Sequence, residues 1–135
     1  MPAKSYTHDN NVLDFYLCHN SGGQTAPTTV YIALLTVAPA DPSDSGTEVA
    51  NANNYSRTAV TFDAPVDGVT QNAGIVTFPT ATGGDWGTVV AAAIYDSGTY
   101  GAGTLLYYGT LGSSKYIADG DTASFAVGTL SVTEQ

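Results

Sequence analysis

Thr28-Thr29-Val30-Tyr31-Ile32-Ala33-Leu34-Leu35-Thr36-Val37 is the stretch that decides the fold. Successive side chains of a strand point to opposite faces, so Val30, Ile32 and Leu34 share one side. Tyr31, Ala33, Leu35 and Val37 share the other. Both sides are apolar, so such a strand needs cover on both faces and is expected at the centre of a sheet.

Outward from this strand the alternation returns several times. Residues 55–62 place Tyr55, Arg57, Ala59 and Thr61 opposite Ser56, Thr58, Val60 and Phe62. Residues 75–78 form a short strand that ends before Pro79. Residues 86–95 follow the breaker Thr82-Gly83-Gly84-Asp85. Ala91-Ala92-Ala93 within them has high helix propensity, but the flanking Val89, Val90, Ile94 and Tyr95 favour a strand. The small residues would let a packed layer approach closely. Residues 104–111 and 123–133 are the last two strands, separated by an Asp119-Gly120-Asp121 turn. In the second of these, Phe125 and Val127 have one parity and Leu130 and Val132 the other. A bulge at Gly128-Thr129 would return all four to the core side. Residues 38–54, 63–72 and 96–103 are loops, and no repeat of solenoid length occurs.

The first two dozen residues differ in kind. Asp9-Asn10-Asn11 offer N-cap chemistry, and Val12, Phe15, Tyr16 and His19 follow at three- and four-residue spacing. Asn20-Ser21-Gly22-Gly23 supplies a stop. One short helix is expected, either capping the sheet or docking on a neighbouring subunit. The chain therefore divides into an arm with a short helix, residues 1–25, and a β-domain, residues 26–135. The fold class is all-β: a single β-sandwich or jelly-roll-like domain with a short N-terminal helix.

Composition narrows the function classes. In 135 residues, three basic side chains face twelve acidic ones, for a formal charge of −9. Nucleic acids and anionic membranes demand clustered Lys or Arg, so neither is an expected partner. Only 11% of residues are charged, so hydroxyl and amide groups must make most of the polar surface, as the fifteen glycines and nineteen threonines suggest. The single cysteine, Cys18, excludes an internal disulfide framework and reads as a small buried hydrophobe. No apolar run is long enough to span a membrane, and no signal peptide is read, so folding in a reducing cytoplasm is expected.

Catalysis is not expected. The two histidines, His8 and His19, both lie in the arm, and no nucleophile-elbow, zincin or phosphate-loop motif is present. Asp119 and Asp121 read as turn chemistry, and Asp41, Asp44 and Glu48 lack the spacing of a calcium loop. No metal or cofactor is expected. Nine tyrosines and one tryptophan suit either a sugar- or receptor-binding face or a filled core and subunit interface. Tyr107 and Tyr108, being adjacent, must point to opposite faces. Arg57, the lone arginine, forms an ordinary surface ion pair or anchors an interface. The candidate interface residues are Phe15, Tyr16, Arg57, Tyr107 and Tyr108.

The order of motifs is familiar. Thr29-Val30-Tyr31-Ile32-Ala33-Leu34-Leu35-Thr36, Gly46-Thr47-Glu48-Val49 and Tyr55-Ser56-Arg57-Thr58-Ala59-Val60-Thr61-Phe62 resemble a family of small tailed-bacteriophage virion proteins. The likeness continues through Ile75-Val76-Thr77-Phe78-Pro79-Thr80-Ala81-Thr82, Trp86-Gly87-Thr88-Val89, Ile94-Tyr95-Asp96, Gly120-Asp121-Thr122 and Phe125. Members are often labelled tail fibre proteins, and similar small β-proteins decorate capsids. The resemblance implies a virion structural role and brings no catalytic residue. The expectation is a capsid decoration (cement) protein that binds the major capsid protein as a homo-oligomer, a trimer being favoured. The alternative is a tail-fibre or tail-tip module that contacts a host receptor.

Overall fold

The computed structural model describes residues 3–18, 26–40 and 46–134. Among them, β2 (Val30–Val37) is the hub of a six-stranded antiparallel sheet. β7 (Gly87–Tyr95) pairs along one edge of β2, while β4 (Thr58–Val60) and β3 (Thr47–Glu48) share the other. β8 (Leu105–Ile117) lies outside β7, and β1 (Ala3–Lys4) caps the outer edge of β8 at Tyr107 and Tyr108. The order is thus β1-β8-β7-β2-β3 with β4 on β2. Two ribbons complete the fold, β5 (Val69–Gln71) with β10 (Ser131–Thr133) and β6 (Val76–Thr77) with β9 (Ser124–Phe125). The domain is all-β, and its second layer is two short ribbons rather than a full sheet.

The two apolar faces of β2 enter two clusters, as expected of a central strand. Ile32 and Leu34 join Phe78, Trp86, Val89 and Ile94 in the main core, against which Phe125 and Val132 of the ribbons pack. Ala33 and Leu35 join Ala91, Ala93, Leu105 and Tyr108 on the opposite face. The three alanines are strand, not helix. Ala91 and Ala93 stand across from Leu35 and Ala33 and are almost fully buried, so tertiary packing overrides their propensity.

A bulge in this region reverses the parity of β7. Val89 belongs to the main core, yet Ala91, two residues on, lies on the other face. Between them the pairing slips: Val89 stands opposite Lys115, and Ala91 opposite Thr110. β8 therefore advances farther than β7 across the same gap, and every later side chain of β7 changes face. β8 also runs past the expected end at Leu111, through the mostly exposed residues 112–116. That extension has no apolar alternation, so nothing in its sequence marks it as strand.

The C-terminal segment departs from expectation. Residues 123–133 are two strands joined by a turn, not one bulged strand. Thr129 N–H donates to Ala126 O at 3.1 Å, and Gly128 takes a left-handed φ of +80°. Phe125, Leu130 and Val132 reach the core side, but Val127 at the turn is exposed. The cause is Asn72, whose side chain is fully buried. Its Nδ2 donates to Gly74 O at 2.8 Å and Ala126 O at 3.0 Å. Its Oδ1 accepts Leu130 N–H at 3.0 Å, and its backbone pairs with Leu130 and Gly128. One amide thus closes the turn by hydrogen bonds that the solvent cannot replace.

Candidate functional site

The arm is built from β1, Ser5 and α1 (Tyr6–Tyr16). Ser5 caps the helix: its Oγ accepts His8 N–H at 3.1 Å and donates to Leu105 O, and its own N–H donates to Leu106 O at 3.0 Å. The helix thus begins three residues before the expected Asp9-Asn10-Asn11 cap. Ser5 wins because it is wholly buried and bonded to β8 as well as to the helix. Leu17 closes the helix with its N–H on Leu13 O. His19 lies outside the described residues, and Cys18 is exposed rather than buried.

The first turn of the helix is clamped to the domain. Lys4 Nζ lies 2.5 Å from Glu134 and 3.4 Å from Asp9. Tyr107 Oη donates to the same Glu134 at 2.6 Å, and the His8 ring meets the Tyr107 ring edge-on at 5.2 Å. Partial burial pushes Glu134 up, but its bonds from Lys4 and Tyr107 outweigh this and hold it below the ordinary carboxylate range. The Glu134 partnership raises Lys4, and burial lowers His8 and raises Tyr107.

Farther along, α1 stands away from the sheet. A cavity of about 540 Å³ separates it from Pro27, Asp96, Thr104 and Leu106. None of the helical side chains is buried. Phe15 is 48% and Tyr16 70% exposed, their rings packed edge-to-face at 5.0 Å. An isolated helix of eleven residues is marginal in water, so the arm depends on its Ser5 anchor.

Of the five candidate interface residues, only Phe15 and Tyr16 lie together on an open surface. Tyr107 is half-buried and Tyr108 buried, one on each side of β8 as their adjacency requires. Arg57 is buried and far from an ordinary surface pair. Its Nε and Nη2 grip both oxygens of Glu48 at 3.0 and 2.9 Å. Its Nη1 donates to Ser97 O and Ala102 O at 2.9 and 2.8 Å, and the guanidinium sits 3.8 Å from the centre of the Tyr95 ring. Tyr55 Oη also donates to Glu48 at 2.6 Å and accepts Leu34 N–H. Burial alone would lower Arg57, but Glu48 more than compensates and its basicity rises. This network ties β2, β3 and residues 97–102 together inside one chain.

The opposite end of the domain is held by polar loops. Asn53, in a left-handed conformation, presents its carbonyl to Trp86 Nε1 at 2.8 Å and to Thr82 N–H. Asp85 accepts Tyr116 Oη at 2.6 Å and Asp119 N–H at 2.8 Å, which lower its pKa. Asp121 accepts Ala118 N–H at 2.9 Å, so the Asp119-Gly120-Asp121 segment is a turn. Asp41 and Asp44 lie outside the described residues, and Glu48 serves Arg57. Sequence reasoning missed Ser5, Asn53 and Asn72. Each is a short polar residue in a loop, with no local mark of the distant groups that it satisfies.

Fold and site together define a small all-β domain with an appended helix that its own core does not absorb. Residues 3–133 match the family model described as Podophage GP4 fiber I protein gp80, and the chain belongs to that family. It is a bacteriophage virion structural protein of the fibre type. No curated protein matches the sequence.

Proposed function

We propose that the chain is a non-catalytic fibre subunit that fastens to the virion through its N-terminal arm and directs its far loops outward. One observation carries this reading. α1 exposes Leu13, Phe15, Tyr16 and Leu17, while the β-domain completes its own core without them. Exposed apolar side chains concentrated on one element mark an interaction site. The arm joins the sheet at Leu105 and Leu106, the first residues of β8, and the Asp85–Asp119 loops meet its last residues. β8 takes up its extra residues in the slip between Thr110 and Lys115 and pairs along the nine residues of β7, which puts those ends roughly 25–30 Å apart. Arm and far loops therefore face opposite directions, as a tethered fibre requires. The family description favours this tail-fibre placement.

The sequence carries no shaft repeat, which supports a second reading: a capsid decoration protein bound to the major capsid protein, with a trimer at local threefold positions. Copy number separates the two. Quantitative staining of purified particles should show few copies, set by tail symmetry, for a fibre. A copy number approaching that of the major capsid protein would overturn the fibre reading in favour of decoration.

A further inference from the structure

Leu13, Tyr16 and Leu17 are 51%, 70% and 70% exposed, and Tyr6 is 55% exposed. At 3.6 residues per turn, Tyr6, Leu13 and Leu17 fall within about 40° of arc, with Tyr16 beside them. By the same geometry Asp9 borders this stripe on one side and Asp14 on the other. His8, Val12 and Phe15 occupy the opposite side of the helix, where His8 meets Tyr107, and they line the cavity toward the sheet together with Tyr16, which stands between the two sides. The contact with the chain's own domain therefore leaves the Leu13–Leu17 stripe outward.

We propose that this stripe docks in an apolar groove rimmed by Lys or Arg on a different virion protein, an inference that rests on the attachment reading above. Charge argues against a second copy as the occupant. Each copy carries a net charge of −9. A symmetric pairing of two such helices would also bring Asp9 and Asp14 against their own counterparts. The cations available to oppose them are few. Arg57 is buried on Glu48, and Lys4 is bound to Glu134 and Asp9. Lys115 lies near the other end of β8. A groove with a basic rim meets Asp14 with opposite charge, Asp9 being paired with Lys4 already, and this sets partner choice and speeds encounter. Leu and Tyr then supply the buried area, as an amphipathic helix does in a groove.

The test uses the full chain and virions assembled without it. Rebinding is measured by co-sedimentation across a salt series, alongside sedimentation of the chain alone. The unaltered chain should rebind. The double variant Leu13→Ser with Leu17→Ser should weaken binding about tenfold or more. Asp14→Lys should weaken it about threefold and flatten its salt dependence. Leu13 and Leu17 are exposed, Asp14 is not buried, and both variants should match the parent in circular dichroism and melting. Binding indifferent to the double variant overturns the inference, as does binding that Asp14→Lys tightens or leaves unchanged. Self-association of the free chain that the double variant abolishes, with rebinding intact, also overturns it and makes a second copy the occupant. If the unaltered chain does not bind particles at all, the attachment reading itself fails, and the inference with it.

Discussion

The side-chain oxygen of Asn72 accepts the backbone N–H of Leu130 at 3.0 Å, across fifty-eight positions of sequence. The amide nitrogen of the same residue holds Gly74 O and Ala126 O, so one buried side chain joins the loop after β5 to the turn between β9 and β10.

Replacing Asn72 by Ala should therefore remove three hydrogen bonds from part-buried backbone groups. Each such bond contributes about 1 kcal/mol, so a total loss of roughly 3 kcal/mol is expected. At this chain length that corresponds to a melting temperature lower by about 10 °C or more. A shift of only a degree or two in a thermal melt would show that the turn closes without this amide.

Arg57 should prove structural. Arg57→Met removes the cation but leaves Glu48 and Tyr55 facing each other in a dry site, at an expected cost of about 3–5 kcal/mol. Limited proteolysis should then cut within residues 97–102, whose carbonyls Arg57 holds. Glu48→Gln added to Arg57→Met should recover part of the loss, because no unpaired charge remains. Urea denaturation of the single and double variants measures both effects.

The arm should loosen in acid. His8 is held below its ordinary pKa of 6.5 by burial, so the folded arm favours the neutral ring. Its contribution is present above that pH and fades as the pH falls through the lowered folded value. Glu134 is also depressed, below an ordinary 4.5, as Lys4 and Tyr107 outweigh its burial. Its contribution is present above that pH and is lost at lower pH still. Lys4, raised by Glu134, changes nothing until pH exceeds 10.5. The protection factors of the α1 amides, taken relative to intrinsic exchange at each pH, should thus fall in two steps below neutrality, and His8→Gln should remove the first. A profile flat from pH 7 to 4 would contradict the clamp.

A chain lacking residues 1–22 should keep its β-fold and lose attachment or assembly. The main core draws nothing from α1, but the deletion also removes β1 and buried Ser5, so the far-ultraviolet spectrum should remain β-type and melting should fall by about 5–10 °C. Ser5→Ala should be an intermediate case, with the arm frayed and about 1–2 kcal/mol lost from the cap and the buried hydroxyl. If truncation lowers melting and particle binding in parallel, the helix serves the fold and not an interface.

The strands that the sequence makes plain are those with apolar residues on both faces or in clean alternation. β2 and β7 lie within a residue or two of where residues 28–37 and 86–95 place them. β1, β3 and β5 are two or three residues long, too short to show a period, and β5 sits in what reads as a loop. The exposed half of β8 is polar on both sides. Phe15 and Tyr16 were legible as aromatics of a short N-terminal helix, but not whether that helix caps the sheet or docks on a neighbour. Arg57 was legible as unusual, but its depth was not.

Local pattern by itself determined the all-β class, the central place of β2, a short N-terminal helix and the acidic, hydroxyl-rich composition. These follow from period-two burial, from where short polar residues stop a helix, and from composition, all of which act over a few neighbouring residues. Only the tertiary structure decided that Ser5 caps α1, that β7 changes face at Val90, that Asn72 turns the chain at Gly128, and that Arg57 is inside. In each of these a polar group or a register is settled by partners far along the chain. Burial makes such partners obligatory because water is not there to take their place.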